Sequence, residues 1–144
     1  MASDFVVIDA GPIVALLNER DQHHRWAIEM SKILPSPYFT TEAALSESFF
    51  LLAEAPKGFR SLLSLLERAS IQVLNICPDD IEDVVKLMRR YADQPMSLAD
   101  ATLVRFSEIH DNVRIYTTDK HFRIYRRNGR QMIPLIAPWS HPDN

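Results

Sequence analysis

Phe5-Val6-Val7-Ile8-Asp9-Ala10-Gly11-Pro12 reads as a strand, an acid and a helix start in eight residues. Four consecutive apolar, β-favouring residues imply a strand covered on both faces, the pattern of a parallel sheet. Asp9 follows at the strand end. Pro12, just after Gly11, suits the first turn of a helix, where its missing N–H would have had no partner. A short helix through Asn18 is expected.

Outward from this stretch the same alternation continues. Asp21 is placed to cap a second helix reaching about Leu34, and Pro35-Ser36-Pro37 breaks the chain before the brief segment Tyr38-Phe39-Thr40. Thr41 caps an apolar helix to about Ala53; Pro56 ends it, and Gly58 to Ala69 carries leucines at helical spacing for another. Ile71 to Ile76 reads as a third strand. Pro78 to about Tyr91 and Ser97 to about His110 read as helices, Arg114 to Thr118 as a strand, and Ile133 to Ile136 as the last strand. Strands alternating with helices or helix pairs imply an α/β fold, a mostly parallel sheet with helices on both faces. No repeat, low-complexity tract or linker divides residues 1–144, which are read as a single domain.

Composition removes several classes of chemistry. Of 144 residues, 47% are hydrophobic and 24% charged, enough to bury about 70% of the unfolded surface without cross-links. Cys77 is the only cysteine, which excludes an internal disulfide and the zinc and dithiol motifs built on cysteine pairs. Apolar runs stop at about five residues, whereas a membrane helix needs ~20 and a signal peptide a core of ~7 to 15. A cytoplasmic protein without a membrane partner is therefore expected. Gly11, Gly58 and Gly129 lie too far apart for a dinucleotide or phosphate-loop motif.

The net charge of −3 conceals an uneven distribution. Arg114 to Arg130 holds six cations against Asp119 alone, a local +5 that leaves −8 on the rest of the chain. Tyr116, His121, Phe122 and Tyr125 are interleaved with those cations, as single-stranded nucleic acid requires for phosphate and base contact. A solvated, ion-paired surface is the plainer explanation of the same residues. His23-His24 is read as a helix start, because adjacent residues point about 100° apart and cannot share a metal.

Four acids draw attention. Asp9 and Asp119 both close strands, and in an open parallel sheet the site lies beyond the C-terminal strand ends, where strand order reverses. Each could equally cap a helix or turn a loop. Glu47 has Ala43, Ala44, Phe50 and Leu51 as its helical neighbours, so it projects from an apolar stripe. Asp100 stands three residues after Ser97, which alone fits a capping box. If the four converge, their mutual repulsion calls for a divalent cation, and an all-oxygen donor set selects Mg²⁺, with Mn²⁺ able to substitute.

At this point the chain resembles PIN-domain proteins, specifically the small VapC-type toxin ribonucleases of toxin–antitoxin systems. The resemblance rests on Phe5-Val-Val-Ile-Asp9-Ala-Gly-Pro, Thr40-Thr-Glu-Ala-Ala-Leu-Ser-Glu47-Ser-Phe-Phe, Met96-Ser-Leu-Ala-Asp100-Ala-Thr-Leu and Thr117-Thr-Asp119-Lys-His-Phe122, in the family's order and spacing. It implies a five-stranded sheet in the order 3-2-1-4-5, reversing between the strands that end in Asp9 and Asp119. It implies that Asp9, Glu47, Asp100 and Asp119 form the family's metal-binding catalytic quartet, with Thr117 supporting a carboxylate or water and Asp93 a further participant. Glu42 competes with Glu47 for its role. The activity implied is Mg²⁺-dependent hydrolysis of RNA phosphodiesters by metal-activated water. Lys120, Arg123, Arg126 and Arg127 would bind the RNA backbone, with Phe122 and Tyr125 stacking on bases. A homodimer and a cognate antitoxin with a basic tail are implied as partners.

Two other readings compete: a receiver-like signalling module without enzymatic activity, and the same nuclease serving RNA maturation. The receiver design needs an acid after the third strand, where the sequence has Asn75-Ile-Cys-Pro. Trp139, in the proline-containing tail from Ala137 to Asn144, is expected to close an edge of the core rather than a dimer seam.

Overall fold

In the computed structural model, which describes residues 5–139, Val6, Val7 and Ile8 are wholly buried, as a strand covered on both faces must be. The elements follow as β1 (Phe5–Ile8), α1 (Ala10–Leu17), α2 (His24–Ser31), β2 (Tyr38–Thr41), α3 (Glu42–Leu51), α4 (Pro56–Glu67), β3 (Ile71–Leu74), α5 (Ile81–Arg90), α6 (Leu98–Ile109), β4 (Val113–Tyr116), β5 (Arg126–Arg127), β6 (Gln131–Met132) and β7 (Leu135–Ile136). Short 3₁₀ turns at Pro78–Asp80 and Lys120–Arg123 complete the set.

The strands β3-β2-β1-β4-β7 form one sheet, and every pairing in it is parallel. This is the expected order, with Leu135–Ile136 as the fifth strand of the sheet. Alternation along β1 sorts the core into two layers. Val7 joins Val84, Leu87, Leu103 and Phe106 beneath α5 and α6, while Val6 and Ile8 join Ile13, Val14, Leu52 and Leu62 beneath α1, α3 and α4. The sheet therefore carries helices on both faces, and its order reverses between β1 and β4.

Local departures from the expected elements have local causes. The second helix starts at His24 rather than after Asp21, because Asp21 closes a turn by accepting from the His23 N–H at 2.8 Å. Pro56 opens α4 instead of ending the preceding helix, the placement that its fixed φ favours. The small antiparallel pair β5–β6 was not expected. Its signal was Asn128-Gly129, whose φ values of +52° and +83° supply the turn that an Asn-Gly pair favours. Trp139 is half-buried; the tail beyond it lies outside the described residues.

One glycine couples the two strands that meet at the reversal. A side chain at Gly11, in the first turn of α1, would collide with the Thr118 hydroxyl in the loop after β4. Gly11→Ala is expected to lower stability by about 1–3 kcal/mol, measured by urea denaturation. Adding Thr118→Ala removes the clashing atom and should recover most of that loss, and strictly additive losses would contradict the contact.

Candidate active site

The C-terminal ends of β1 and β4 stand side by side, with Ile8 in register with Tyr116 and the Asp9 N–H donating to the Tyr116 carbonyl at 2.9 Å. This pairing puts Asp9 and the Thr117–Asp119 loop on one edge. Asp9 is also the N-cap of α1: its Oδ1 accepts from the Ala10 N–H at 2.8 Å, and its Oδ2 accepts from the Thr117 hydroxyl at 2.8 Å. Thr117 Oγ1 in turn accepts from the Asp119 N–H at 3.0 Å. One hydroxyl thus ties the two strand-end acids together.

Asp100 arrives from the start of α6 and completes a capping box, taking the Ser97 N–H on Oδ2 at 3.1 Å while its own N–H donates to Ser97 Oγ at 3.0 Å. The Tyr125 hydroxyl donates to the same Oδ2 at 3.2 Å. Asp100, like Asp9, thus serves a helix start and also stands at the candidate site. Asp119 is partly exposed, and its Oδ1 takes the His121 N–H at 2.9 Å and pairs with His121 Nδ1 at 2.7 Å.

Asp9 and Asp100 are only 5% and 6% exposed, and their ionisation responds accordingly. Burial pushes the Asp9 carboxyl up from 3.8 to about 7; the Thr117 hydrogen bond opposes this, and the charges of Asp100 and Glu47 add to it. Asp100 is also raised, first by burial and then by the charge of Asp119, against hydrogen bonds from Ser97 and Tyr125. Burial together with those same carboxylates raises the Tyr125 hydroxyl, so it stays a donor. All four acids share one electrostatic neighbourhood.

Glu47 reaches that neighbourhood by a different route from the one its sequence context suggested. It is exposed, because the half of its stripe formed by Phe50 and Leu51 faces solvent, Phe50 being 80% exposed, while Ala44 packs inward with Ser48. Apolar neighbours on a helix do not guarantee burial. Glu42 instead lines a cavity of about 690 Å³ over the ends of β2 and β3, together with Leu74, Cys77 and Leu98. None of the four acids lines that cavity, and Glu47, not Glu42, is among the charges that raise Asp9. Asp93 is exposed in the turn after α5, and no interaction among the described residues joins it to the quartet.

The basic segment is only partly a surface. Lys120 and Arg123 are exposed. Phe122 and Tyr125 are buried in the core, which corrects their expected role of stacking on bases: they belong to the apolar layer under α6. Arg127 is buried too, donating to the His110 carbonyl at 3.5 Å and lying 3.8 Å from Asp111. Arg126 spends one guanidinium nitrogen on the carbonyls of Arg123, Ile124 and Tyr125. Four of the six expected RNA contacts thus serve the fold wholly or in part. His24 likewise serves the fold, with Nδ1 2.7 Å from the Ala15 carbonyl.

No three Asp, Glu, His or Cys side chains among the described residues form a ready-made cage for an ion. The donor set still fits a hard cation. All four groups are carboxylates, two of them buried against each other's charge, and Mg²⁺ usually takes only one or two carboxylates while keeping several waters.

A parallel sheet with helices on both faces and strand-end acids at its reversal point defines an open α/β fold, whose ligand sites lie beyond the C-terminal strand ends at such a point. The chain belongs to the PIN domain family, whose model matches residues 6–128. In fold it is similar to VapC20 of Mycobacterium tuberculosis, a sarcin-ricin loop cleaving toxin, with a TM-score of 0.71 and 20% identity over 80% of this chain and 90% of that one. It is also similar to a chain of a toxin–antitoxin complex from Klebsiella pneumoniae, with a TM-score of 0.66 and 18% identity over 94% of this chain and 99% of that one. Comparison with curated protein sequences finds no match.

The raised carboxylates make stability depend on pH in a definite direction. A carboxyl whose folded-state pKa lies at about 7 instead of 3.8 stabilises the fold fully below pH 4, and that contribution is lost as pH rises through 7. In EDTA, the wild type should lose up to about 4 kcal/mol across this range relative to Asp9→Asn. Parallel thermal-melting curves for the two proteins from pH 4 to pH 8 would contradict the burial of an ionisable Asp9.

Proposed function

We propose that the protein is a divalent-cation-dependent endoribonuclease, a VapC-type toxin that hydrolyses RNA phosphodiesters with water as nucleophile. The observation carrying this reading is the pair Asp9 and Asp100, both more than nine-tenths buried at helix starts by the sheet's reversal point, with the charge of Asp100 adding to the cost of ionising Asp9 and that of Asp119 to the cost of ionising Asp100. Such an arrangement is costly unless a cation occupies it. The fold's similarity to a ribosomal-loop-cleaving toxin and to a toxin–antitoxin complex supports the toxin assignment.

Asp9 and Asp100 would hold a Mg²⁺ or Mn²⁺ ion, which when bound would supply Lewis-acid chemistry toward water and the phosphoryl group. The Thr117 hydroxyl fixes the Asp9 carboxylate by its bond to Oδ2. With Oδ1 of Asp119 already taken by His121, Oδ2 is the atom that takes the proton of the attacking water, and Glu47 adds charge from the exposed side. Lys120 and Arg123 hold the RNA backbone. A homodimer and an antitoxin whose arginines pair with the carboxylates complete the proposed cellular setting, in the cytoplasm. No helix among the described residues is long and apolar enough to cross a membrane. The receiver-like alternative is disfavoured because β3 ends at Leu74-Asn75, with no acid to accept phosphate.

Purified wild type should cleave a pool of structured RNAs, tested beside single-stranded DNA, in Mg²⁺ or Mn²⁺ but not in EDTA. Asp9→Asn should bind RNA and leave it intact. Metal-independent cutting, or equal cutting by the variant, would sink the proposal. Lys120→Ala with Arg123→Ala should weaken RNA binding across sequences and reduce the slope of log K against log salt by about 1.4, roughly 0.7 per lost contact. An unchanged slope would remove these two residues from the interface.

A further inference from the structure

Tyr125 stands apart from the apolar layer that surrounds it. Its side chain is 0% exposed, with its ring edge-on to Tyr91 at 5.1 Å and to Phe122 at 5.2 Å. A phenylalanine would make those ring contacts without carrying a hydroxyl into the core, where an unpaired hydroxyl costs about 1–3 kcal/mol. The hydroxyl's partner is Asp100 Oδ2, at 3.2 Å. Capping α6 does not require it, since the Ser97 N–H already occupies that oxygen at 3.1 Å.

We infer that Tyr125 is a positioning residue for the cation site, its hydroxyl locking the Asp100 carboxylate so that Oδ1 is the oxygen presented to the metal. The inference rests on the proposed reading of the quartet as a metal site. Two donors on Oδ2 hold the carboxylate plane in one orientation, and no hydrogen bond among the described residues reaches Oδ1. Asp119 is arranged in the same way, with both donors from His121 on Oδ1. Donors behind a ligand orient it and raise its affinity for metal, and losing one typically costs about 10- to 100-fold. Tyr125 also sits between the 3₁₀ turn Lys120–Arg123 and β5, which places the lock in the same segment as the exposed Lys120 and Arg123.

The test measures Mn²⁺ binding to the full chain without RNA, by the electron paramagnetic resonance signal of free Mn²⁺, for wild type, Tyr125→Phe and Asp100→Asn. Tyr125→Phe should bind Mn²⁺ at least about 10-fold more weakly, while its RNA affinity in EDTA stays at the wild-type value. Wild-type Mn²⁺ affinity in Tyr125→Phe overturns the positioning role and leaves the metal-site reading standing. Equal Mn²⁺ binding by wild type and Asp100→Asn overturns both. If Tyr125→Phe did not fold, wild-type protein labelled at its tyrosine ζ-carbons answers the same question. One of the four tyrosine resonances should shift on Mg²⁺ titration, and four unmoved resonances would overturn the inference.

Discussion

Two carboxylates held almost out of water, Asp9 and Asp100, repel each other across the end of the sheet, and the surrounding structure is arranged to tolerate that repulsion. Each sits at a helix start, where unpaired N–H groups and the helix dipole favour negative charge. Asp9 caps α1, and Asp100 closes the capping box of α6 with Ser97, the N-cap. The hydrogen bonds that stabilise these helix ends are therefore the same bonds that keep the acids in place. Thr117 and Tyr125 add one hydroxyl to each.

The sheet supplies the convergence. Parallel pairing of β1 with β4 puts Asp9 beside the Thr117–Asp119 loop, while α6, which leads into β4, starts at Asp100, close enough for its charge and that of Glu47 on α3 to act on Asp9. Gly11 shows how closely these parts approach, since its α-carbon leaves no room for a side chain against Thr118. Two-sided burial of β1 makes the arrangement rigid, because Val7 is locked into one core layer and Val6 and Ile8 into the other.

Several residues changed meaning between sequence and structure. Glu47 looked buried by its neighbours and is exposed, because α3 turns Phe50 and Leu51 outward as well. Phe122, Tyr125 and Arg127 looked like a nucleic-acid surface and are buried, Arg127 with a guanidinium nitrogen on the His110 carbonyl, since cation–aromatic interleaving does not specify which side chains point inward. Among the exposed residues of that segment, Lys120 and Arg123 keep the interface reading. The hairpin formed by β5 and β6 was legible in Asn128-Gly129, but its strands of two residues are too short to show a pattern.

Local physics reached far along this chain. The apolar run before Asp9, the proline at the start of α1, the Ser97–Asp100 capping box and the strand–helix alternation each depend on neighbours a few residues away, so the sequence alone determined most of the elements and the parallel α/β class. It also determined that the four acids would be oxygen donors rather than thiolates or imidazoles. Which acids share a field, which hydroxyl stands behind Asp9 and which tyrosine stands behind Asp100 were decided by packing between segments up to 108 positions apart. Those contacts depend on side-chain direction and depth, and no local pattern in the sequence encodes either.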